Sequence, residues 1–207
     1  MNFEVKISQK PIDYKKSIEI LEKRVCDVSD GKKPELLWII EHKEVYTSGI
    51  RSDNSELLNK RVKVIKTNRG GKYTYHGPGQ KIVYFVLNLN KREKDIRKLI
   101  YKIELCIINI LKEYRIKSYA DKKNIGIWIG DKKNSKKIAA IGIRVKKWIA
   151  YHGFSINIST DLKKYNAIIP CGIKNKGIGS FKEMGISKAN NIDNIIVKNF
   201  LNTFRQE

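Results

Sequence analysis

The amino-acid sequence predicts a single α/β (α+β) domain over residues 1–207, with a mixed β-sheet flanked by helices. Three observations lead there. Short apolar runs with strand-like spacing recur along the chain. Amphipathic helical segments separate and close them. The two kinds of segment are interspersed without regular βαβ alternation, which disfavours a doubly wound parallel sheet. No internal repeat, low-complexity tract or Pro/Gly/Ser linker divides the chain. A chain of this length buries one core without help from disulfides or metals.

Tyr14, Ile18, Leu21 and Val25 recur at helical spacing, and Asp30-Gly31 ends that helix. Leu36 to His42 is a short, mostly apolar run that reads as a buried strand, with Val45 to Gly49 continuing or pairing with it. Val62 to Lys66 alternates as a strand does, and Lys81 to Leu89 reads as another. Ile96, Leu99, Ile100, Ile103, Ile107, Ile110, Leu111 and Tyr114 then hold the i, i+3, i+4, i+7 pattern most regularly. Ile125 to Ile129, Ile138 to Val145 and Gly153 to Ile158 read as strands. Ile192, Ile195, Ile196, Phe200 and Phe204 mark a closing helix.

Composition narrows the class of protein. The 43 basic and 21 acidic residues leave a net charge of +22. Such a surface attracts acidic partners, whether nucleic acid, anionic membrane or acidic protein. The chain is also rich in Lys, Ile and Asn throughout, as compositional bias alone produces, so charge by itself names no partner. A nucleic-acid-binding module would interleave Lys/Arg with exposed aromatics along one face; here the basic residues are spread over the whole chain. No apolar run approaches the ~18 residues that span a bilayer. Met1 to Lys16 lacks an apolar signal-peptide core. A cytoplasmic location without membrane contact is therefore expected. Cys26, Cys106 and Cys171 are odd in number and far apart, which with no export signal favours reduced thiols. No Cys or His pair has metal-ligand spacing, so no metal is expected.

Two segments are unusual in composition. The first, Arg69-Gly70-Gly71-Lys72-Tyr73-Thr74-Tyr75-His76-Gly77-Pro78-Gly79-Gln80, holds four glycines, a planar donor fork in Arg69 and a titratable ring in His76. It reads either as backbone that lets a ligand approach closely or as a Gly/Pro turn with a solvent-facing His. It matches neither a Walker loop nor a dinucleotide fingerprint. The second runs from Lys136 to Val145, takes in Trp148 and His152-Gly153, and ends at Ile169-Pro170-Cys171-Gly172. A Cys between Pro and Gly sits in an open turn. Cys106 lies near the apolar face of the most regular helix and reads as inert core; Cys26 also sits in a helix, with no evident chemical neighbour. An exposed thiol becomes a nucleophile only where positive charge populates its thiolate, and the residues alone leave Cys171 open between that role and an ordinary turn thiol.

These segments, in this order and spacing, resemble the octanoyltransferase (lipoate–protein ligase B) family. Glu41-His42-Lys43-Glu44-Val45-Tyr46-Thr47-Ser48-Gly49 is similar to an earlier strand motif of that family. Asp161-Leu162, then Tyr165 before Ile169, resembles the segment leading into its cysteine. The match runs from about Glu41 to Ser180. The chain departs from the pattern at Tyr165, where the family often has Phe, and at Gly179, where it tends to have Thr before the Ser. The resemblance implies the fold of lipoate ligases and of the catalytic domain of biotin–protein ligases. It implies that Cys171 becomes acylated and that Lys137 is its catalytic partner. Arg69, Gly70, Gly71, Lys72, Tyr73, Thr74, Tyr75, His76, Ala140, Ile141, Gly142, Gly153, Phe154 and Ser155 would line the acyl pocket. Octanoyl-acyl carrier protein would be the donor. Lysines on lipoyl domains of 2-oxoacid dehydrogenases and the glycine cleavage system would be the acceptors.

The chemistry is consistent with those roles. An ammonium about 4 Å from a thiolate contributes roughly 4 kcal/mol at an effective dielectric near 20, enough to bring a thiol from about 8.5 to near or below neutrality. Lys137, His76 or His152 could take the proton of the incoming lysine, and backbone N–H groups near Gly142 or Cys171 would face the oxyanion. Amide formation from a thioester runs downhill, so neither ATP nor a cofactor is expected. An ATP-dependent lipoate or biotin ligase of the same fold is the competing enzyme reading; it would need no nucleophilic Cys.

Overall fold

A computed structural model describes residues 3–131, 134–172 and 176–204, with Cys171 placed by its backbone alone. In chain order come β1 (Phe3–Ile7), α1 (Tyr14–Ser29), β2 (Glu35–Ile40), β3 (Val45–Ser48), β4 (Val64–Lys66), β5 (Thr74–His76) and β6 (Gln80–Asn88). Then follow α2 (Ile96–Glu113), β7 (Tyr119–Ala120), β8 (Ile127–Ile129), β9 (Lys136–Lys146), β10 (Ile149–Asn157), β11 (Gly177–Ile178) and α3 (Ile192–Phe204). The main sheet runs β1-β2-β6-β10-β9-β8-β7, with β11 also paired to β9. β1/β2 and β9/β11 are parallel; the other neighbours in this sheet are antiparallel. A second, small sheet has the order β4-β3-β5. The architecture is the mixed-sheet α/β class that the sequence predicts.

Period-two alternation on β6 supplies both faces of the central sheet. Val83, Phe85 and Leu87 point to one side, where Leu99, Ile103, Ile107 and Ile110 of α2 and Ile196 and Phe200 of α3 cover them. Ile82, Tyr84 and Val86 point to the other side, against Leu21, Val25 and Val28 of α1. Aspartates cap the N-termini of α1 and α2. The Asp13 carboxylate accepts from Lys16 N–H at 3.2 Å, and that of Asp95 accepts from Arg97 and Lys98 N–H at 2.7 and 3.1 Å.

The structure extends the sequence reading at the hairpin that carries the site. β10 begins at Ile149 rather than Gly153, because Lys147 and Trp148, both at positive φ (49° and 61°), form the tight turn from β9. Such turns usually announce themselves by Asn-Gly or Asp-Gly, and neither stands here. β5, β7 and β11 are additional strands of two or three residues, too short for periodicity to mark; β1 is also additional, although Phe3, Val5 and Ile7 alternate with Glu4 and Lys6 as a strand does. Within β10, His152 adopts a left-handed φ of 69°. Strict alternation would set it beside Ala150 and Phe154 on the α2/α3 side; instead its ring meets Tyr84 and Tyr151, on the α1 side. A non-glycine residue there costs roughly 1–3 kcal/mol. Spent on one residue of a wholly buried strand, that cost points to a site.

Candidate active site

β9, β10, β5 and the segment 69–73 enclose a cavity of about 350 Å³, closed on one side by Tyr14 of α1. Arg69, Gly70, Gly71, Lys72, Tyr73, Thr74, His76, Lys137, Ala140, Ile141, Gly142, His152, Gly153, Phe154 and Ser155 all line it. The structure thus brings two distant stretches of sequence around one volume. Tyr75 is the exception, and corrects the sequence reading. Thr74 and His76 share one face of β5, so Tyr75 points to the other. There its ring packs on Tyr46 and Tyr165, and its hydroxyl donates to Glu44. Gly77 and Gly79 do not line the cavity either; a Cβ at Gly79 would lie 2.6 Å from Ser159 Oγ, so these two glycines serve internal packing. Sequence reasoning missed Tyr14, Arg51, Tyr84 and Lys123 as lining residues. Tyr14 heads the apolar stripe of α1, so periodicity assigns it to core and carries no sign of its second role.

Arg69 has a structural task. Its buried guanidinium donates to Thr47 O and Oγ1 (3.1 and 2.7 Å), to Lys72 O (2.9 Å) and to Gly70 O (3.0 Å). One planar fork therefore ties the segment 69–72 to β3 and satisfies the carbonyls that a loop turned inward would otherwise leave unpaired. Gly71, at φ 89°, takes the left-handed turn this path needs.

Lys137 is 4 % exposed, and its ammonium donates to Ile125 O at 3.0 Å while lying 4.8 Å from the Trp128 ring centroid. A backbone carbonyl and a π face thus hold the charge in place of water. Lys136 points the other way, into solvent beside Glu183. A narrow crevice next to the main cavity joins Lys137, Thr74, Ser155, Asn157 and Tyr165 to Pro170. Lys137 thus shares this crevice with Pro170, which opens the turn Pro170–Gly172 that carries Cys171; the Cys171 thiol itself lies outside the described residues. The buried Glu56 and the half-exposed Lys72 form an ion pair packed against Gly172, and Ile169 N–H donates to Glu56 O at 2.7 Å. Of the other thiols, Cys106 is buried and pushed up to about 12 by desolvation. Cys26 is exposed on α1, more accessible than its helical setting suggests.

All three histidines are buried. His42 is pulled down to about 4, and His76 and His152 to about 3, in each case chiefly by desolvation, with the Arg69 charge adding to the last two. The three rings are neutral near pH 7. Among the described residues, no group of three or more His, Cys, Asp or Glu side chains is placed to hold a metal ion.

The lipoyl protein ligase A/B catalytic-domain family matches residues 13–201. The octanoyltransferase of Ehrlichia canis (strain Jake) is 45 % identical over 204 residues, covering 97 % of this chain and 95 % of that one. The chain belongs to the octanoyltransferase family. The octanoyltransferase of Rickettsia bellii is 44 % identical, covering 94 % of this chain and 96 % of its own. Among solved structures, the bipartite lipoate protein ligase of Thermoplasma acidophilum shares the fold at a TM-score of 0.77 and 14 % identity, covering 99 % of this chain and 84 % of that one. The biotin acetyl coenzyme A carboxylase synthetase of Helicobacter pylori shares it more distantly, at 0.52 and 14 %, covering 98 % and 74 %. The octanoyltransferase motifs therefore sit on the fold that both kinds of ligase use.

Proposed function

We propose that the whole chain forms one catalytic domain that moves an octanoyl group from octanoyl-acyl carrier protein to a lysine of lipoyl domains, through a thioester on Cys171. The observation that carries this reading is the placement of Lys137. Lys137 is sequestered from water and lines one crevice with Pro170, the residue before Cys171, beside a cavity of the size an eight-carbon chain needs. Positive charge held there favours the thiolate over the thiol. Burying the chain's methylenes at about 0.8 kcal/mol each adds roughly 5 kcal/mol of binding.

In the first half-reaction the Cys171 thiolate attacks the donor thioester carbonyl. A new C–S bond forms, the old one breaks, and the carrier leaves as a thiolate that takes a proton from solvent. In the second, the neutral amine of the substrate lysine attacks the acyl-enzyme. The C–N bond forms, the C–S bond breaks, its electron pair stays on Cys171, and the amine's proton passes to a base or to solvent. The exposed Arg51 and Lys123 at the cavity mouth suit an acidic carrier protein or lipoyl domain. Lipoyl domains of 2-oxoacid dehydrogenases and of the glycine cleavage system are the acceptors on this reading.

The test is the intact mass of the protein after incubation with octanoyl-acyl carrier protein and no ATP. One octanoyl adduct on Cys171, discharged by added lipoyl domain, is the expected result. Transfer only with ATP, or an adduct on another residue, overturns the reading and favours a ligase.

A further inference from the structure

Gln80 is fully buried beside the cavity, and the proposed reaction gives it no task. Its amide is oriented by three oxygen acceptors, two of which, the Tyr75 carbonyl and Asn157 Oδ1, cannot donate. Nε2 donates to Asn157 Oδ1 at 2.8 Å and faces the Tyr75 carbonyl at 3.3 Å. Tyr165 Oη also accepts from it, at 2.9 Å. Asn157 is oriented in turn, since its Nδ2 donates to Gly179 O at 3.0 Å. Flipping either amide would set oxygen against a carbonyl oxygen. Gln80 Oε1 must therefore face His76 Nδ1, 2.6 Å away. A carboxamide oxygen only accepts, so Nδ1 carries the hydrogen, and in the neutral ring Nε2 is bare. His76 lines the cavity.

We propose that Gln80 is a positioning residue that locks His76 in the Nδ1–H tautomer, so that Nε2 presents an acceptor to the N–H of the attacking lysine. With one N–H held there, the amine's lone pair is free to point at the thioester carbon. In the other tautomer, Nε2–H would oppose the amine's own N–H. Burial keeps the ring neutral at working pH and so keeps Nε2 an acceptor. The network also reaches the strand of Lys137: Gly179 N–H donates to Lys137 O at 2.9 Å. Two backbone carbonyls, of Tyr75 and Gly179, thus set the state of a side chain in the cavity wall.

The other histidines are internal references. His42 Nδ1 faces the Ile12 carbonyl at 3.0 Å, so it too is Nδ1–H. His152 is the opposite. Asn68 Nδ2 donates to Glu22 at 2.9 Å, which turns Oδ1 toward His152 Nε2 at 2.8 Å, so Nε2 carries the hydrogen.

The inference rests on the transfer reaction proposed above, and its test separates the two. The full chain, labelled with ¹⁵N-histidine, gives three ring spin systems in a long-range ¹H–¹⁵N correlation at pH 7. His76 and His42 are expected with an unprotonated Nε2, and His152 with an unprotonated Nδ1. This needs no variant, and a protonated Nε2 on His76 overturns the proposal even if octanoyl transfer proceeds normally. Gln80→Met removes the acceptor; His76 should lose its single tautomer. Discharge of the octanoyl-enzyme to a lipoyl domain should then slow about tenfold to a hundredfold relative to its formation from a small octanoyl thioester. Gln80→Glu is the rescue: burial favours the protonated carboxyl, which retains one donor and one acceptor. It should restore both the tautomer and the ratio of the two half-reactions. Equal ratios in wild type and Gln80→Met, or a ratio that moves without the tautomer, refute the positioning role. Failure of the wild type to form any acyl-enzyme would instead sink the proposed function.

Discussion

Gly142 and Gly153 face each other directly across β9 and β10, and both line the cavity, yet a methyl group added to each meets a different obstacle. A Cβ on Gly153 would overlap the Val83 carbonyl oxygen of β6, a backbone atom that cannot move without opening the β6/β10 ladder. A Cβ on Gly142 would stand 3.3 Å from Gly70 O and 3.5 Å from Arg69 Cδ, on the cavity wall. Overpacking against fixed backbone costs typically 1–3 kcal/mol, and in a chain of this size each kcal/mol lowers Tm by about 2–4 °C. Gly153→Ala should therefore melt roughly 2–12 °C below wild type, whereas Gly142→Ala should lose less. The order should invert for acyl binding, with Gly142→Ala raising KM for an octanoyl thioester more per degree of Tm lost. Melting curves and KM values for the two variants decide the matter. A Gly153→Ala protein as stable as Gly142→Ala, or one whose only defect is in KM, would refute the packing argument.

The sequestered Lys137 and the solvent-facing Lys136 give a second contrast: Lys137→Ala should raise the pH midpoint of Cys171 alkylation by iodoacetamide, while Lys136→Ala leaves it in place. Because Cys26 is exposed and Cys106 is buried, that assay belongs in a Cys26→Ser background, where Cys171→Ser should abolish both labelling and turnover. The three buried histidines predict acid sensitivity. Each has a folded pKa below its unfolded value near 6.5, so its contribution is complete above about pH 6.5 and is lost as pH falls toward about 4 for His42 and about 3 for His76 and His152. In that window denaturant midpoints should drop, by up to about 1.4 kcal/mol per pH unit for each ring, and His42→Gln should flatten the slope. If the +22 charge steers an acidic donor, kcat/KM for octanoyl-acyl carrier protein should fall steeply with salt while that for a small uncharged thioester stays nearly flat; parallel lines would assign the charge to composition.

The parts of the fold that were legible are those whose burial is one-sided or complete over many residues. Eighteen residues of α2 repeat one apolar face, and β6 is buried along nearly its whole length, so pattern alone marks both. The illegible strands depend on partners instead. β11 is two residues, Gly177–Ile178, that become a strand only because β9 offers them an edge at Lys136 and Lys137. Gly179 shows the same dependence. A Cβ there would meet Ile129 Cδ1 at 2.8 Å and Lys136 Cβ at 3.2 Å, so the threonine common at this point in the resemblance would need the Ile129 side chain of β8 and Lys136 of β9 to give way. The departure from the family pattern is thus a packing adjustment between neighbouring strands, and no reading of Gly179 in isolation could have said so.

The site was legible for a different reason, and its limits follow from that reason. Residue types such as Lys137, His76 and the glycines at 70 and 71 announce chemistry or close approach, and they gather around one cavity. What the types do not announce is direction. Tyr75 belongs to the same motif and faces the tyrosine cluster, since one step along a strand turns a side chain over. His152 keeps its place in the motif but reaches Tyr84 only through a left-handed backbone angle that no periodicity encodes. Arg69 reads as a ligand fork and is used as a brace, because four carbonyl and hydroxyl oxygens of the protein already face it. Gln80 is the converse case. It stands at the end of the motif as an ordinary polar residue, and its orientation is forced only when Tyr75 O, Asn157 and Gly179 O, from three separate stretches of chain, are brought against it. The state of His76 is therefore a property of the assembled network, and a sequence can name that ring as reactive without saying which of its nitrogens is bare.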